Sequence, residues 1–119
     1  MSDFLIANPD QENDFIQPSE LAQKIESYWI NASISSDIEN DPCLSWSIKI
    51  HDRRLDCSYF KNSHLSMDGD LGDCSKFAIW YRKQIPMELK LVMFDMGYNA
   101  DIQLLTETTE QEIIQTFLS

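Results

Sequence analysis

The chain is poor in glycine and proline and has no long apolar stretch. Only three of its 119 residues are glycine and four are proline, which leaves little material for flexible linkers or low-complexity segments. No apolar run approaches the ~20 residues that a membrane-spanning helix needs, and the first six residues lack the basic start of a secretory signal. We therefore expect one soluble, cytoplasmic domain without internal repeats.

Cysteine is also scarce. Cys43, Cys57 and Cys74 form an odd set that contains no C-x-x-C pair. In an intracellular protein such cysteines are usually free thiols that serve as small apolar side chains. Cys57 and Cys74 fall on faces that the pattern predicts to be buried, so we expect unreactive thiols.

Basic residues are few compared with acidic ones. Nine lysines and arginines stand against 20 aspartates and glutamates, which gives a formal net charge of −11 at pH 7. The excess of acid is greatest in residues 1–42. Because phosphate binding depends on lysine and arginine, this balance argues against nucleic acid and anionic membranes as partners. It fits a basic protein partner, or solubility alone.

The most apolar stretch is Leu89–Asp95. It carries apolar side chains on both faces, a pattern typical of a central strand that is covered on each side. Leu44–Ile50 alternates apolar and polar residues and predicts a strand with one buried face. Leu55, Cys57 and Tyr59 predict a second strand with its apolar side chains on the same face. Shorter strands are predicted near residues 65–67 and 102–104.

Three helices are predicted around these strands. The first begins at Pro18 and Ser19, the second follows the acidic turn at residues 68–73, and the third begins at Thr109 with the capping-box sequence Thr-Glu-Gln-Glu. Residues 33–42 are rich in turn formers and predict a surface loop.

The resulting order, α-β-β-β-α-β-β-α, predicts the fold class. We expect a single α+β domain at residues 18–119, with about a five-stranded, mainly antiparallel sheet and helices on one face or divided between the two. Residues 1–17 contain several large apolar side chains and are expected to form an extended N-terminal segment packed on that body.

The sequence offers no convincing metal or cofactor site. The run Asp68-x-Asp70-x-x-Asp73 brings three carboxylates and two glycines together, but it lacks the spacing and the closing glutamate of an EF-hand loop. A turn followed by a helix cap explains it better. His51, His64 and the cysteines do not have the spacing of a structural zinc site either.

No catalytic residues are assigned. Cys57 could in principle meet His64, with Asp56 as an orienting group, but Cys57 alternates onto the predicted buried face. No phosphate-binding loop, nucleophile elbow or H-E-x-x-H motif is present. An enzyme that uses dispersed carboxylates at strand ends remains an alternative.

The candidate partner-binding residues are those that the core patterns leave out. Ile79 projects away from the predicted core face of its helix, and Trp80 lies on the flank of that helix. Tyr98 lies in the turn after the apolar strand, between Asp95 and Asp101. Tryptophan and tyrosine are common anchors of interfaces. Burial under the N-terminal segment would explain Ile79 and Trp80 equally well.

The leading hypothesis is therefore a small, acidic, non-enzymatic protein-binding domain, acting as an immunity-type or regulatory partner of a basic protein. Bacterial immunity proteins have this general profile, being single acidic intracellular domains that neutralise a partner by covering it. The similarity lies in size, charge and class alone. The competing hypotheses are a small enzyme and a self-associating structural domain that forms homo-oligomers.

Overall fold

The computed structural model describes residues 3–8, 16–37, 39–60 and 64–118, which form one α+β unit. The described strands are β1 (Phe4–Ala7), β2 (Ala32–Ser36), β3 (Leu44–Ile50), β4 (Arg53–Tyr59), β5 (Leu65–Asp68), β6 (Leu91–Asp95) and β7 (Asp101–Leu104). The described helices are α1 (Pro18–Tyr28), α2 (Leu71–Gln84) and α3 (Glu110–Leu118). Neighbouring strands are antiparallel, in the order β2-β3-β4-β5-β1-β6-β7.

The sheet thus has more strands than the five predicted, although the α+β class is confirmed. The two additional strands within the described residues are β1 and β2. β2 lies in the stretch that we predicted to be a surface loop, and it pairs with β3 from Ala32↔Ile48 to Ser36↔Leu44. Its serines give little apolar alternation, so the sequence pattern does not predict a strand here. The strand forms because its backbone pairs with β3.

The N-terminal strand lies inside the sheet. Ile6 is opposite Leu65 of β5 on one side and opposite Met93 of β6 on the other, and it is fully buried. Residues 1, 2 and 9–15 of the predicted N-terminal segment lie outside the described residues. Ile16 follows them, and its carbonyl accepts a hydrogen bond of 2.9 Å from the hydroxyl of Tyr59.

All three helices pack on one face of the sheet, which we call the covered face. Trp46 of β3 contacts Phe77 of α2, with ring centroids 5.6 Å apart, and Phe4 of β1 contacts Phe117 of α3 at 5.0 Å. Leu21 and Ile25 of α1 belong to the same buried cluster. Alternation then places the other side chains of each strand on the opposite face, which we call the open face.

β6 corresponds to the apolar stretch, but it is not the central, doubly covered strand that we expected. It is second from one edge of the sheet. Met93 on the covered face is fully buried, whereas Val92 and Phe94 on the open face are half-buried. The apolar character of its second face therefore has another explanation, which the site below provides.

The helix starts follow local chemistry. Gln17, rather than Ser19, is the N-cap of α1, and Pro18 takes the first helical position. At α3 the predicted capping box is confirmed: the backbone N–H of Glu112 donates to Thr109 Oγ1 at 3.2 Å, and Glu112 Oε1 accepts from the backbone N–H of Thr109 at 3.0 Å.

Candidate binding site on the open face

The open face is divided into a serine half and an apolar half. One row of paired residues crosses all seven strands, and its members are Ser35, Ser45, Ser58, Ser66, Leu5, Phe94 and Asp101. The serine half spans β2 to β5, where Ser45 Oγ and Ser58 Oγ lie 3.3 Å apart and share a hydrogen bond. The apolar half begins at β1. Along this row the side chains change from serine to Leu5 and Phe94, so the part of the open face at β1 and β6 is suited to apolar contact.

A pocket of about 470 Å³ opens in the apolar half. Its lining side chains come from β1, β6, β7 and the segments beside them, and they are Ala7, Asn8, His64, Val92, Phe94, Tyr98, Ala100 and Asp101. Val92 and Phe94 give it an apolar base. Pockets of this size that combine apolar walls with a few polar groups are typical of binding sites.

Tyr98 forms one wall of this pocket. Its ring stacks on Phe94 with a centroid separation of 5.2 Å and an interplanar angle of 17°, yet the residue is 76% exposed. Its backbone has a φ of 55°, in the left-handed region that is uncommon for a residue with a large side chain. The turn thus places an aromatic ring where it covers little of the protein's own core.

Asp95 organises this turn. Its Oδ1 accepts hydrogen bonds from the backbone N–H groups of Asn99 at 2.8 Å and Ala100 at 3.3 Å. Desolvation raises the pKa of Asp95, but the hydrogen bonds from Ala100 and Asn99 outweigh it and the net pKa is lowered. Asp95 is therefore committed to the turn, which leaves Asp101 as the carboxylate of this region that is not part of it.

Asp101 stands at the rim of the pocket, opposite Phe94 in the sheet register. It is exposed and, among the residues that the structure describes, it forms no ion pair. An exposed carboxylate beside an apolar pocket suits a ligand group in which a cation adjoins an apolar side chain.

Ile79 and Trp80 lie elsewhere, on the helix side of the molecule. Trp80 is only 8% exposed, and its ring is 5.4 Å from Phe77, 5.6 Å from Tyr28 and 6.0 Å from Trp29. Aromatic residues at the end of α1 thus pack on Trp80. The predicted partner-binding residues therefore form two separate groups.

The remaining candidates have structural roles. Asp70 caps α2 by accepting from the backbone N–H of Gly72 at 2.9 Å, and Asp73 is paired with Arg53 at 2.9 Å. Asp68 lies beside Asp3, whose side-chain hydrogen bond raises the pKa of Asp68. The run is a turn with a helix cap, as predicted, but the cap is Asp70 at its middle, so α2 begins three residues earlier than expected and Asp73 lies in its first turn. Within the described residues, no group of three or more metal-ligating side chains is found.

The thiols are positioned as core groups. Cys57 is buried on the covered face, and desolvation raises its pKa well above the usual range. Asp56 faces the opposite way, where it accepts from Ser47 and from Arg54 Nε at 2.8 Å. The Cys57–His64–Asp56 arrangement that we considered is therefore not assembled, because strand alternation sends Cys57 and Asp56 to opposite faces.

Of the predicted partner-binding residues, Tyr98 and Asp101 line this pocket, whereas its other lining residues were not predicted. Ala7, His64 and Val92 come from distant parts of the chain and meet only through the pairing of β1 with β5 and β6. The one available signal was the second apolar face of the Leu89–Asp95 stretch, which we interpreted as burial beneath other elements.

Comparisons with protein-family models, with curated proteins and with solved structures found no match for this chain. Among the described residues, no helix is both long and apolar enough to cross a bilayer.

Proposed function

We propose that the protein is a small, acidic, non-enzymatic protein-binding domain that engages a basic partner through the apolar half of its open face. The observation that carries the proposal is the pocket of about 470 Å³, with exposed Tyr98 as a wall and Asp101 at its rim. Tyrosine provides a large, rigid contact area at a small cost in conformational entropy, which is why it is common at interface hot spots.

The chemistry of the pocket suggests what a partner presents. An apolar side chain would fill the space above Val92 and Phe94, and a neighbouring lysine or arginine would reach Asp101. The net charge of −11 would attract such a partner over distance, which speeds association at low salt.

The test is capture of the partner from the native host, followed by rate measurements on the purified pair. We expect Tyr98→Asn and Asp101→Asn each to weaken binding by about tenfold or more, the former by removing the apolar wall. Asparagine is chosen at position 98 because it tolerates a positive φ. Raising salt should slow association more than it changes dissociation.

The matched controls lie on or just after α1, outside the pocket and outside the cavity between α1 and α2. Ile30→Asn removes another exposed apolar side chain, and Glu26→Gln removes another exposed carboxylate. Neither should change the affinity by more than about twofold. The proposal fails if no partner is captured at low salt, or if these variants weaken binding as much as the pocket variants do.

Self-association is the second candidate, and the sheet edges favour it. Within the described chain, β2 and β7 each pair with only one neighbouring strand. An unpaired edge is a template for a strand from another copy. Sedimentation of the pure protein over a range of concentrations tests it, and a monomer throughout would exclude this candidate.

A further inference from the structure

A second open cavity lies between α1 and α2, on the side of the molecule away from the open-face pocket. This groove has a volume of about 1060 Å³. One wall is formed by α1 between residues 20 and 28, and the other by α2 between residues 76 and 84. On each helix the lining positions follow the spacing i, i+3, i+4, i+7 and i+8, so each helix contributes one continuous stripe.

The floor of the groove is aromatic. The rings of Tyr28 and Trp80 are 5.6 Å apart, and Ile79 lies beside them in the α2 stripe. Tyr28 is 62% exposed and Ile79 is half-buried, so part of this apolar surface remains accessible. Trp80 itself is mostly buried, and it contributes to the floor mainly by packing against Tyr28.

The rim of the groove carries three lysines and two glutamates, a small positive excess. Lys24, Lys76 and Lys83 all line it, which is a third of the nine basic residues of a chain whose net charge is −11. Lys76 is paired with Glu110 of α3 at 3.0 Å. Within the described part of the chain, Lys24 and Lys83 form no ion pair. Glu20 is the other acidic residue of the lining.

We propose that this groove binds a short, acidic, amphipathic helix of a partner protein. Two stripes at helical spacing on either side of an apolar floor match the way in which such a helix docks in a groove. Its apolar face would contact Tyr28 and Ile79, and carboxylates on its flanks would pair with Lys24 and Lys83. The contact between Lys76 and Glu110 is an example of the same lysine–glutamate pairing at one end of the groove.

The dimensions set the length of the helix. Nine residues of each wall span roughly 12 Å at 1.5 Å per residue, so the groove would hold two to three turns. An anionic occupant is favoured because these lysines collect on one side of an otherwise acidic molecule. This inference does not depend on the open-face pocket.

The probe is a synthetic 14-residue helix, acetylated, amidated and stapled, with leucines along one face and glutamates along both flanks. We expect saturable binding, measured by fluorescence anisotropy of a label on the peptide and by the emission of the protein's tryptophans. A version with lysine in place of glutamate should bind at least about tenfold more weakly. A version with serine in place of leucine should also lose affinity.

Paired charge reversals identify the site. Lys24→Glu/Lys83→Glu should weaken binding of the acidic helix by about tenfold or more. Lys49→Glu/Lys90→Glu makes the same change in net charge at exposed residues outside the groove, and it should have a much smaller effect. Tyr28→Ala tests the apolar floor, and the thermal midpoint of each variant shows that it is folded.

Three results would overturn the proposal. The first is no saturable binding of the acidic helix at roughly millimolar concentration. The second is an equal loss of affinity in the two charge-reversal variants, which would indicate that the acidic helix responds to the net charge of the protein and does not bind in the groove. The third is self-association of the protein alone that Lys24→Glu/Lys83→Glu abolishes, since the occupant would then be a second copy of this chain.

Discussion

The two faces of the sheet are built by the same strands and differ in almost every other respect. On the covered face, apolar side chains continue from Trp46 and Tyr59 through Ile6 to Met93, and the helices bury them. On the open face, the same strands carry serines from β2 to β5 and apolar groups only at β1 and β6. The covered face therefore stabilises the fold, whereas the apolar half of the open face holds the pocket lined by half-buried Val92 and Phe94 and exposed Tyr98.

The ion pairs of the two arginines that begin β4 differ in the same way, since one is partly buried and the other is exposed. Arg53 pairs with Asp73, whose side chain is 2% exposed, and it does so through two hydrogen bonds of 2.9 and 3.0 Å. Arg54, one residue further along, pairs with Asp56 on the open face, where both partners are well exposed. Adjacent residues of one strand thus make one partly buried ion pair and one solvated ion pair.

The largest expected difference concerns Trp46 and its neighbour Ser45. Trp46→Ala removes a ring that is 3% exposed and packs on Phe77, so it should lower the free energy of unfolding by about 3–5 kcal/mol. Ser45→Ala, on the open face of the same strand, removes only the hydrogen bond to Ser58 and should lower it by about 1 kcal/mol or less. Urea denaturation measures both, and similar midpoints would show that the faces are assigned wrongly.

The next difference concerns thiol reactivity. Cys57 is buried on the covered face, and desolvation raises the pKa of Cys74 to about 12. A free thiol has a pKa of about 8.5, so the native Cys74 thiol should react on the order of a thousandfold more slowly, and burial should also make Cys57 slow to react. Ser35→Cys places an exposed thiol on the open face as a control. Labelling by a chromogenic disulfide at pH 7 measures the rates, and fast labelling of Cys57 would contradict its place in the core.

The third difference compares the two ion pairs of β4. Hydrogen bonds from Arg53 hold the pKa of Asp73 below its usual value, although burial opposes them. The ion pair therefore stabilises the folded protein at pH values above the usual pKa of aspartate. Asp73→Asn should therefore lower the denaturation midpoint clearly at pH 7. The gap to the unmodified protein should narrow as pH falls below ~4, because Asp73 becomes protonated in both the folded and the unfolded protein.

Asp56→Asn is the control for that experiment. Its exposed pair with Arg54 should contribute little, so the shift at pH 7 should be smaller than that of Asp73→Asn. Equal shifts for the two variants, or a gap for Asp73→Asn that does not depend on pH, would remove the distinction between the two pairs.

The smallest expected effect concerns Tyr98. Tyr98→Asn removes an exposed ring and leaves a residue that tolerates the positive φ, so unfolding free energy should change by no more than about 0.5 kcal/mol. Phe94→Asn, beneath it, should cost more because Phe94 is half-buried. Calorimetric midpoints test this. A large loss of stability in Tyr98→Asn would mean that the ring serves the fold rather than a partner.

Local patterns predicted the elements whose stabilising contacts are local or strictly periodic. Leu44–Ile50 was predicted with its correct bounds because its alternation has no interruption, and the capping box at Thr109 was correct because it depends on four consecutive residues. β1 has only four residues and is apolar on both faces, so its pairing depends on strands far along the chain. β2 is mostly serine and depends on the register of β3.

For the candidate sites too, local patterns did not predict contacts between residues that are distant in the sequence. Turn position was enough to select Tyr98, but the cover over Trp80 could not be predicted from α2 alone. Burial under the N-terminal segment was one of two alternatives for Trp80, and within the described residues the rings of Tyr28 and Trp29 at the end of α1 pack on it. In the sequence, Tyr28 and Trp29 continue the helical spacing of Leu21 and Ile25, and that spacing does not show which neighbouring helix they meet.

The place of β1 has a consequence for synthesis on the ribosome. Phe4 of β1 pairs with Asp95 of β6, about 90 residues further along, so β1 cannot be hydrogen-bonded on both sides until β6 has been synthesised. During that interval β1 can pair with β5 on one side, while its other edge has no strand beside it. A nascent chain stalled before β6 emerges would therefore hold an incomplete sheet, and protease resistance of stalled chains should rise only after β6 has left the exit tunnel.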